Sequence, residues 1–136
     1  MYPKNISKEK NKIIIVDFGS QVTKLIARRI RDLKVYSEIV NLKEFRNIKD
    51  FSNIRGIILS GGPSTVTKRI YPKINTNIFD KKIPILGICY GLQLIAKIFG
   101  GKIKNSKKRR EFGEATLLEK SKSVLFKNFY NKKKSI

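Results

Sequence analysis

Apolar residues along the chain form short continuous runs separated by stretches of helical spacing. The run Ile13–Phe18 is continuous and β-branched, as are strands buried on both faces of a parallel sheet. Gly19 and Ser20 end this strand, and Ser20 is a candidate N-cap for the helix that follows. That helix is predicted at Gln21–Leu33. Its inward face is predicted from apolar residues at helical spacing: Val22, Leu25, Ile26, Ile30 and Leu33.

A second strand is predicted at Val35–Leu42, another buried strand at Gly56–Ser60 and a further strand at Ile83–Cys89. The polar connection that reaches to about Arg55 has a short helical tendency. Another short helix is expected near Ile74–Phe79.

A last helix is predicted before Gly100 and Gly101, which end it. Its apolar face is formed by Leu92, Ile95, Ala96 and Phe99. This order of elements predicts an α/β fold, an open and mainly parallel sheet with helices on both faces and flavodoxin-like layering, incomplete at the C-terminus. Sites in such folds lie at the carboxyl ends of the strands. Lys-rich pieces around Ile103 and at Ala115–Leu118 predict a smaller antiparallel addition.

Composition adds limits on size and partners. A length of 136 residues suits one domain, and 40% apolar residues are enough for a core. The formal net charge of +21 is densest at Lys107–Arg110 and Lys132–Lys134. Lysine predominates, whereas specific base recognition depends on arginine forks. The charge therefore favours a solvated basic surface over a polyanion site, and no specific nucleic acid is predicted as a partner.

The counts of cysteine and histidine limit the chemistry further. A single cysteine, Cys89, excludes an internal disulfide framework and fits a reducing cytosol. The absence of histidine excludes a Ser-His or Cys-His pair within these residues, and no metal site is predicted. The uncharged stretch Ile83–Ala96 has 14 residues, against the roughly 20 that a membrane-spanning helix needs. A cytoplasmic protein with no membrane contact is expected.

Cys89 lies in the segment Gly87–Gly91, which has the G-x-S-x-G form of a nucleophile elbow with cysteine in place of serine. A strained turn from strand to helix holds such a nucleophile out of the sheet, and the flanking glycines allow close backbone approach. The start of the following helix favours the reactive thiolate. A buried structural cysteine is the alternative, and the pattern alone does not decide between the two.

A second glycine-rich turn, Ser60–Pro63, also follows a predicted strand. Consecutive glycines can present backbone N–H groups to an oxyanion, although most such runs are simple turns. The turn also has the beginning of the Ser-Gly-Gly-x-Asp-Ser phosphate loop of ATP pyrophosphatases, but the required Asp is missing. No other nucleotide-binding motif occurs.

Together these segments resemble the class I glutamine amidotransferases. The segment Gly87–Ala96 (GICYGLQLIA) is similar to their nucleophile motif. Three other segments resemble the branch whose glutaminase domain supplies ammonia for making GMP, and the agreement runs from about Ile13 to Leu118 in collinear order. They are Asp17–Gln21 (DFGSQ), Ala27–Arg31 (ARRIR) and Arg110–Ala115 (REFGEA).

The resemblance implies a role for each matching residue. Cys89 would attack the side-chain amide of glutamine, forming a thioester and releasing ammonia. The backbone N–H groups of Gly62 and Tyr90 would form the oxyanion hole. Gln93 would help hold the substrate glutamine, and Gly61 would line its pocket. The ammonia would pass to an ATP pyrophosphatase domain or subunit, which uses ATP and Mg²⁺ to aminate xanthosine monophosphate; no cofactor is expected in this chain.

One departure from the family is serious, because its general base is a His followed by Pro and an orienting Glu, and this chain has no His. The expectation is a polar extension at residues 1–12 followed by a partial amidotransferase domain at 13–136, with the pyrophosphatase and dimerisation domains absent. A truncated gene product is expected to account for the missing His and the missing domains better than a second chain that supplies them. Two alternatives stay open: a glutaminase subunit of another class I amidotransferase, and a non-catalytic basic binding module on the same fold.

Overall fold

The computed structural model describes residues 11–63, 71–104 and 121–127 of the chain. The chain divides into two compact units, Met1–Lys104 and Asn105–Ile136. The described part of the second unit contains one 3₁₀ turn, Val124–Phe126, which the pattern did not predict. The piece of the predicted antiparallel addition at Ala115–Leu118 lies outside the described residues. So do both basic runs and most of the predicted polar extension.

The first unit is built on a parallel sheet, as the sequence predicts. Its four described strands are β1 (Lys12–Asp17), β2 (Ser37–Asn41), β3 (Ile54–Leu59) and β4 (Ile85–Gly87). They stand in the order β2-β1-β3-β4, and every neighbouring pair is parallel. β4 is shorter than predicted, and Pro84 directly before it has no backbone N–H to donate to a neighbouring strand.

The strand order creates a crevice where the site is expected. The chain moves from β1 to β2 in one direction and continues with β3 and β4 on the other side of β1. The loops that leave the carboxyl ends of β1 and β3 therefore diverge, which is the switch point at which open α/β sheets bind ligands.

Helices cover both faces of the sheet. On one face the apolar core joins Ile14 and Val16 of β1 to Phe45 of helix α2 (Leu42–Arg46) and Leu94 of helix α3 (Tyr90–Ile98). Successive strand residues point to opposite faces, so Ile13 and Ile15 lie on the other face. Helix α1 (Thr23–Asp32) covers that second face. The Ser37 hydroxyl, in register with Ile13, donates to the Ala27 carbonyl of α1 at 3.1 Å.

The inward face predicted for α1 is wrong in part. Val22, Leu25 and Leu33 are exposed, Leu33 by 77%, while Thr23 and Ala27 are buried. The reason is that the Thr23 hydroxyl is hydrogen bonded beneath the crevice, which fixes the rotation of the helix at its first turn.

The predicted start of α1 also needs correction. The N-cap is Val22 rather than Ser20, and the Ser20 hydroxyl instead accepts from the Val22 N–H at 3.2 Å, directly before the helix.

The face predicted for α3 is corrected in the same way. Leu92 and Phe99 are exposed, and the helix buries Tyr90, Gly91 and Leu94. Gly91 rather than a larger residue faces the sheet because the turn at Cys89 brings the start of α3 directly against β3.

Two short elements agree in kind with the pattern. α2 occupies the connection that has a helical tendency and begins with a capping box between Asn41 and Glu44. The helix expected near Ile74–Phe79 is a 3₁₀ helix at Thr76–Lys81, and the Asn75 side chain accepts from the N–H of Asn77 at its start. None of the helices in the described ranges has the length and apolar content needed to cross a bilayer.

Candidate active site

The predicted turn from strand to helix at Cys89 is confirmed. Cys89 lies between the end of β4 and the start of α3, with φ 50° and ψ −110°, and it is exposed. This is a conformation that residues with a side chain rarely adopt. The thiol is therefore presented to solvent at the carboxyl end of the sheet, and the alternative of a buried structural cysteine is wrong.

The two glycines around Cys89 are required by space. A Cβ on Gly87 would lie 2.6 Å from the Leu92 Cα, and one on Gly91 would lie 2.0 Å from the carbonyl oxygen of Leu59. Neither neighbour can move away, because both atoms belong to the backbone of regular elements. The G-x-C-x-G spacing therefore follows from how closely α3 approaches β3 and β4.

Backbone hydrogen bonds hold this turn against β3. The N–H of Ile88 donates to the Leu59 carbonyl at 2.9 Å, and the N–H of Gly91 donates to the Ser60 carbonyl at 3.0 Å. The Gln93 N–H donates to the Cys89 carbonyl at 3.1 Å, which closes the first turn of α3. The strained residue is fixed from both sides.

The Gly61-Gly62 turn lies beside Cys89, as the sequence predicts. A Cβ on Gly61 would lie 3.5 Å from the Cβ of Cys89 and 3.3 Å from the hydroxyl oxygen of Ser20. A Cβ on Gly62 would lie 2.8 Å from the Phe18 carbonyl oxygen. The loops after β1, β3 and β4 therefore converge on one point, and only glycine fits at position 62.

Sequence reasoning missed a polar network beneath this point. One carboxylate oxygen of Asp17 accepts from the N–H groups of Gly19 and Ser20 and, at 3.0 Å, from the Thr23 hydroxyl. The Thr23 hydroxyl also lies 3.0 Å from that of Ser60, and both residues are fully buried. The spacing Asp17-x-x-Ser20 at a strand end was the available indication, since Asp in a turn accepts from backbone N–H groups ahead of it.

Tyr90 and Gln93 occupy the first turn of α3. The Tyr90 ring is buried against Phe18, with ring centroids 5.2 Å apart, and this burial raises the pKa of its phenol above the ordinary value of 10.0. Gln93 is half-buried one helical turn beyond Cys89. Because the first N–H groups of a helix lack intrahelical partners, this end of α3 favours negative charge beside Cys89.

The described residues contain a cavity at the other end of the sheet and no metal cluster. The described residues hold no group of three or more His, Cys, Asp or Glu side chains that could bind a metal ion. An open cavity of about 600 Å³, lined by Lys49, Arg55 and Lys82 among others, lies at the amino ends of β3 and β4. That cavity is at the opposite end of the strands from Cys89.

Comparison with known proteins agrees with the geometry. Residues 14–136 match the family described as glutamine amidotransferase class-I. The chain belongs to this family.

Several curated relatives of this class I amidotransferase chain carry the name GMP synthase [glutamine-hydrolyzing]. The protein from Borrelia garinii subsp. bavariensis is 47% identical over 124 residues, which are 88% of this chain and 23% of the relative. The protein from Fusobacterium nucleatum is 45% identical over 125 residues, 91% of this chain and 24% of the relative. The protein from Spiroplasma kunkelii is 45% identical over 121 residues, 89% of this chain and 23% of the relative. The chain thus spans about a quarter of the length of these relatives.

Proposed function

We propose that this chain carries the nucleophile and the oxyanion hole of a glutaminase whose ammonia is used to make GMP. The observation that supports the proposal is the position of Cys89, strained and exposed at the start of α3 and in contact distance of the Gly61-Gly62 turn. A nucleophile beside backbone N–H donors is the arrangement that acyl transfer requires.

The proposed reaction begins at the glutamine side chain. The sulfur of Cys89 bonds to the amide carbon, and the amide oxygen takes up negative charge that the N–H groups of Gly62 and Tyr90 stabilise. The C–N bond then breaks, and the nitrogen leaves as ammonia after gaining a proton. Water hydrolyses the remaining thioester to glutamate and restores the thiol. Gln93 and Gly61 bind the glutamine substrate in this scheme.

The proton transfers need a group that this chain lacks. None of its 136 residues is His, and general acid–base catalysis is typically worth about 10²–10⁴ in rate. The base is therefore proposed to lie outside this chain, as the His of a His-Pro-Glu sequence. The isolated chain is expected to bind glutamine-like reagents but not to turn over glutamine.

The use of the ammonia is proposed from the relatives. Proteins 45–47% identical to this chain are named GMP synthase [glutamine-hydrolyzing]. A synthetase portion outside this chain would use ATP and Mg²⁺ to aminate xanthosine monophosphate, and this chain would contribute no residue to that step. We place the reaction in the cytoplasm, where a reducing environment keeps the Cys89 thiol free.

The test compares labelling with turnover on the purified 136-residue chain. A chloromethyl ketone analogue of glutamine should label Cys89 with saturable kinetics, and L-glutamine should protect it, whereas D-glutamine should not. Labelling that is unaffected by L-glutamine would contradict a glutamine site.

Ammonia release is then measured for the chain alone and for its mixture with the His-containing remainder of a relative's glutaminase domain. We expect sustained release in the mixture only, and none with Cys89→Ala. Sustained release by the chain alone, abolished by Cys89→Ala, would show that the account of the base is wrong.

A further inference from the structure

Ser60 connects three elements around the crevice although it lies one residue before the two glycines. Its N–H donates to the Val16 carbonyl of β1 at 3.1 Å, and its carbonyl accepts from the Gly91 N–H of α3 at 3.0 Å. Its hydroxyl lies 3.0 Å from the Thr23 hydroxyl of α1 and donates to the Gly61 carbonyl at 3.3 Å. Ser60 is completely buried, so water does not replace these contacts.

The number of available protons decides which group donates in each of these hydrogen bonds. The Asp17 carboxylate can only accept, so the Thr23 hydroxyl donates to it at 3.0 Å. A hydroxyl has one proton, and Thr23 must therefore accept from Ser60 in their 3.0 Å contact. The single proton of Ser60 is then shared between two acceptors, the Thr23 oxygen at 3.0 Å and the Gly61 carbonyl oxygen at 3.3 Å. Asp17 and Thr23 thus hold the Ser60 hydroxyl next to the Gly61 carbonyl.

The Gly61 carbonyl matters because it shares a rigid peptide plane with the N–H of Gly62. A group that holds the carbonyl oxygen also fixes the direction of that N–H. Two glycines in succession otherwise leave this peptide with unusual rotational freedom.

We propose that Ser60 is a positioning residue, supported by Thr23, that aims the Gly62 N–H at the oxyanion formed at Cys89. This role rests on the proposed glutaminase function and adds to it two residues outside the proposed nucleophile, oxyanion hole and glutamine pocket. An effect on the transition state is expected, because a donor aimed at the wrong place stabilises a developing charge poorly.

The experiment uses the full chain and two reagents that differ in one respect. The chloromethyl ketone analogue of glutamine gains a bond from the Cys89 sulfur and loses chloride, and its carbonyl oxygen becomes negatively charged on the way. Methyl methanethiosulfonate forms a disulfide with the same sulfur and releases methanesulfinate, with no oxyanion at a carbonyl. The first reaction depends on the direction of the Gly62 N–H, and the second does not.

For Ser60→Ala we expect the limiting rate of labelling by the chloromethyl ketone to fall about tenfold to a hundredfold. The half-saturating concentration should stay within twofold, as should the rate with methyl methanethiosulfonate. Thr23→Val should cause a smaller loss of the same kind, because Ser60 can still donate to the Gly61 carbonyl but loses the contact that fixes the position of its hydroxyl. Thr23→Ser retains the hydroxyl and should restore the wild-type rate.

Other outcomes overturn the proposal. Equal losses with both reagents would show that Ser60 only maintains the fold, and unchanged labelling by the ketone would show that it does not aim the donor. If Ser60→Ala does not fold, the comparison of Thr23→Val with Thr23→Ser decides alone. Failure of the wild-type chain to show saturable labelling would instead overturn the proposed function, and this inference with it.

Discussion

Cys89 stores conformational strain in its backbone. Its φ of 50° with ψ of −110° lies in a region that costs about 1–3 kcal/mol for a residue with a Cβ. Glycine adopts such angles readily but loses more entropy on folding, by about 0.5–1 kcal/mol. We therefore expect Cys89→Gly to be about 1 kcal/mol more stable than Cys89→Ala, since both lack the thiol but only glycine relieves the strain.

Urea unfolding of the two variants measures this difference directly. A Cys89→Ala chain as stable as Cys89→Gly would mean that the surrounding turn does not impose the strained conformation.

Tyr90 couples the first turn of α3 to the stability of the chain at high pH. Burial raises the pKa of its phenol above 10.0 in the folded protein, whereas the unfolded chain has the ordinary value. Above about pH 10 the unfolded state therefore binds fewer protons than the folded state, so the free energy of unfolding falls as pH rises. Tyr90→Phe keeps the ring against Phe18 and should lose less stability between pH 9 and pH 11 than the wild type.

The measurement is the free energy of unfolding at several pH values from 8 to 11 for both chains. Parallel curves would show that the Tyr90 phenol is not protected from ionisation by its burial.

At the scale of elements, the contact between α3 and β3 has no room for a side chain at Gly91. A Cβ there would lie 2.0 Å from the Leu59 carbonyl oxygen, so Gly91→Ala should destabilise the chain by about 3 kcal/mol or more. Gly56, inside β3, is the matched control, because its Cβ would have no neighbour nearer than 3.7 Å. Gly56→Ala should be neutral or stabilising by about 0.5 kcal/mol.

Thermal unfolding of both glycine variants tests this pair. Similar melting temperatures for Gly91→Ala and Gly56→Ala would contradict the close approach of α3 to β3.

The rotation of α1 gives a second comparison between neighbouring residues. Leu25 is 50% exposed, whereas Ala27 is only 3% exposed against the sheet. Leu25→Gln should change the free energy of unfolding by no more than about 0.5 kcal/mol. Ala27→Gln should cost about 1–3 kcal/mol, since it forces a long polar side chain between α1 and β2. A larger loss of stability for Leu25→Gln than for Ala27→Gln would support the inward face that was predicted from the apolar pattern.

At the scale of the whole molecule, the net charge of +21 acts on association rather than on the fold. We expect binding to RNA or DNA to be weak, without sequence preference, and to fall steeply between 50 and 200 mM salt because it depends on counterion release. Fluorescence anisotropy with two unrelated oligonucleotides over this salt range measures both properties. Salt-resistant binding to one sequence would favour the alternative of a basic binding module.

The sequence determined those features of the fold that depend on neighbours along the chain. Apolar, largely β-branched runs predicted β1, β3 and β4, since a strand covered on both faces needs apolar residues at most positions. β2 was predicted at Val35–Leu42, although it contains the buried polar residues Ser37 and Glu38. The elbow at Cys89 was predictable because its close backbone contacts require glycine at positions 87 and 91, and those glycines are visible in the sequence. Two strand ends in one parallel sheet then implied that Gly61 lies near Cys89.

Only the tertiary structure decided how the helices rotate and which polar groups meet beneath the crevice. An apolar stripe cannot show that Thr23 and Ala27 face inward while Leu25 does not. That choice comes from a hydrogen bond between Thr23 and Ser60, 37 positions apart. Contacts at such separation leave no periodic pattern in the sequence. The physical reason is a difference in free energy. Leaving the buried Thr23 hydroxyl without a hydrogen bond would destabilise the fold more than leaving the Leu25 side chain half-exposed does.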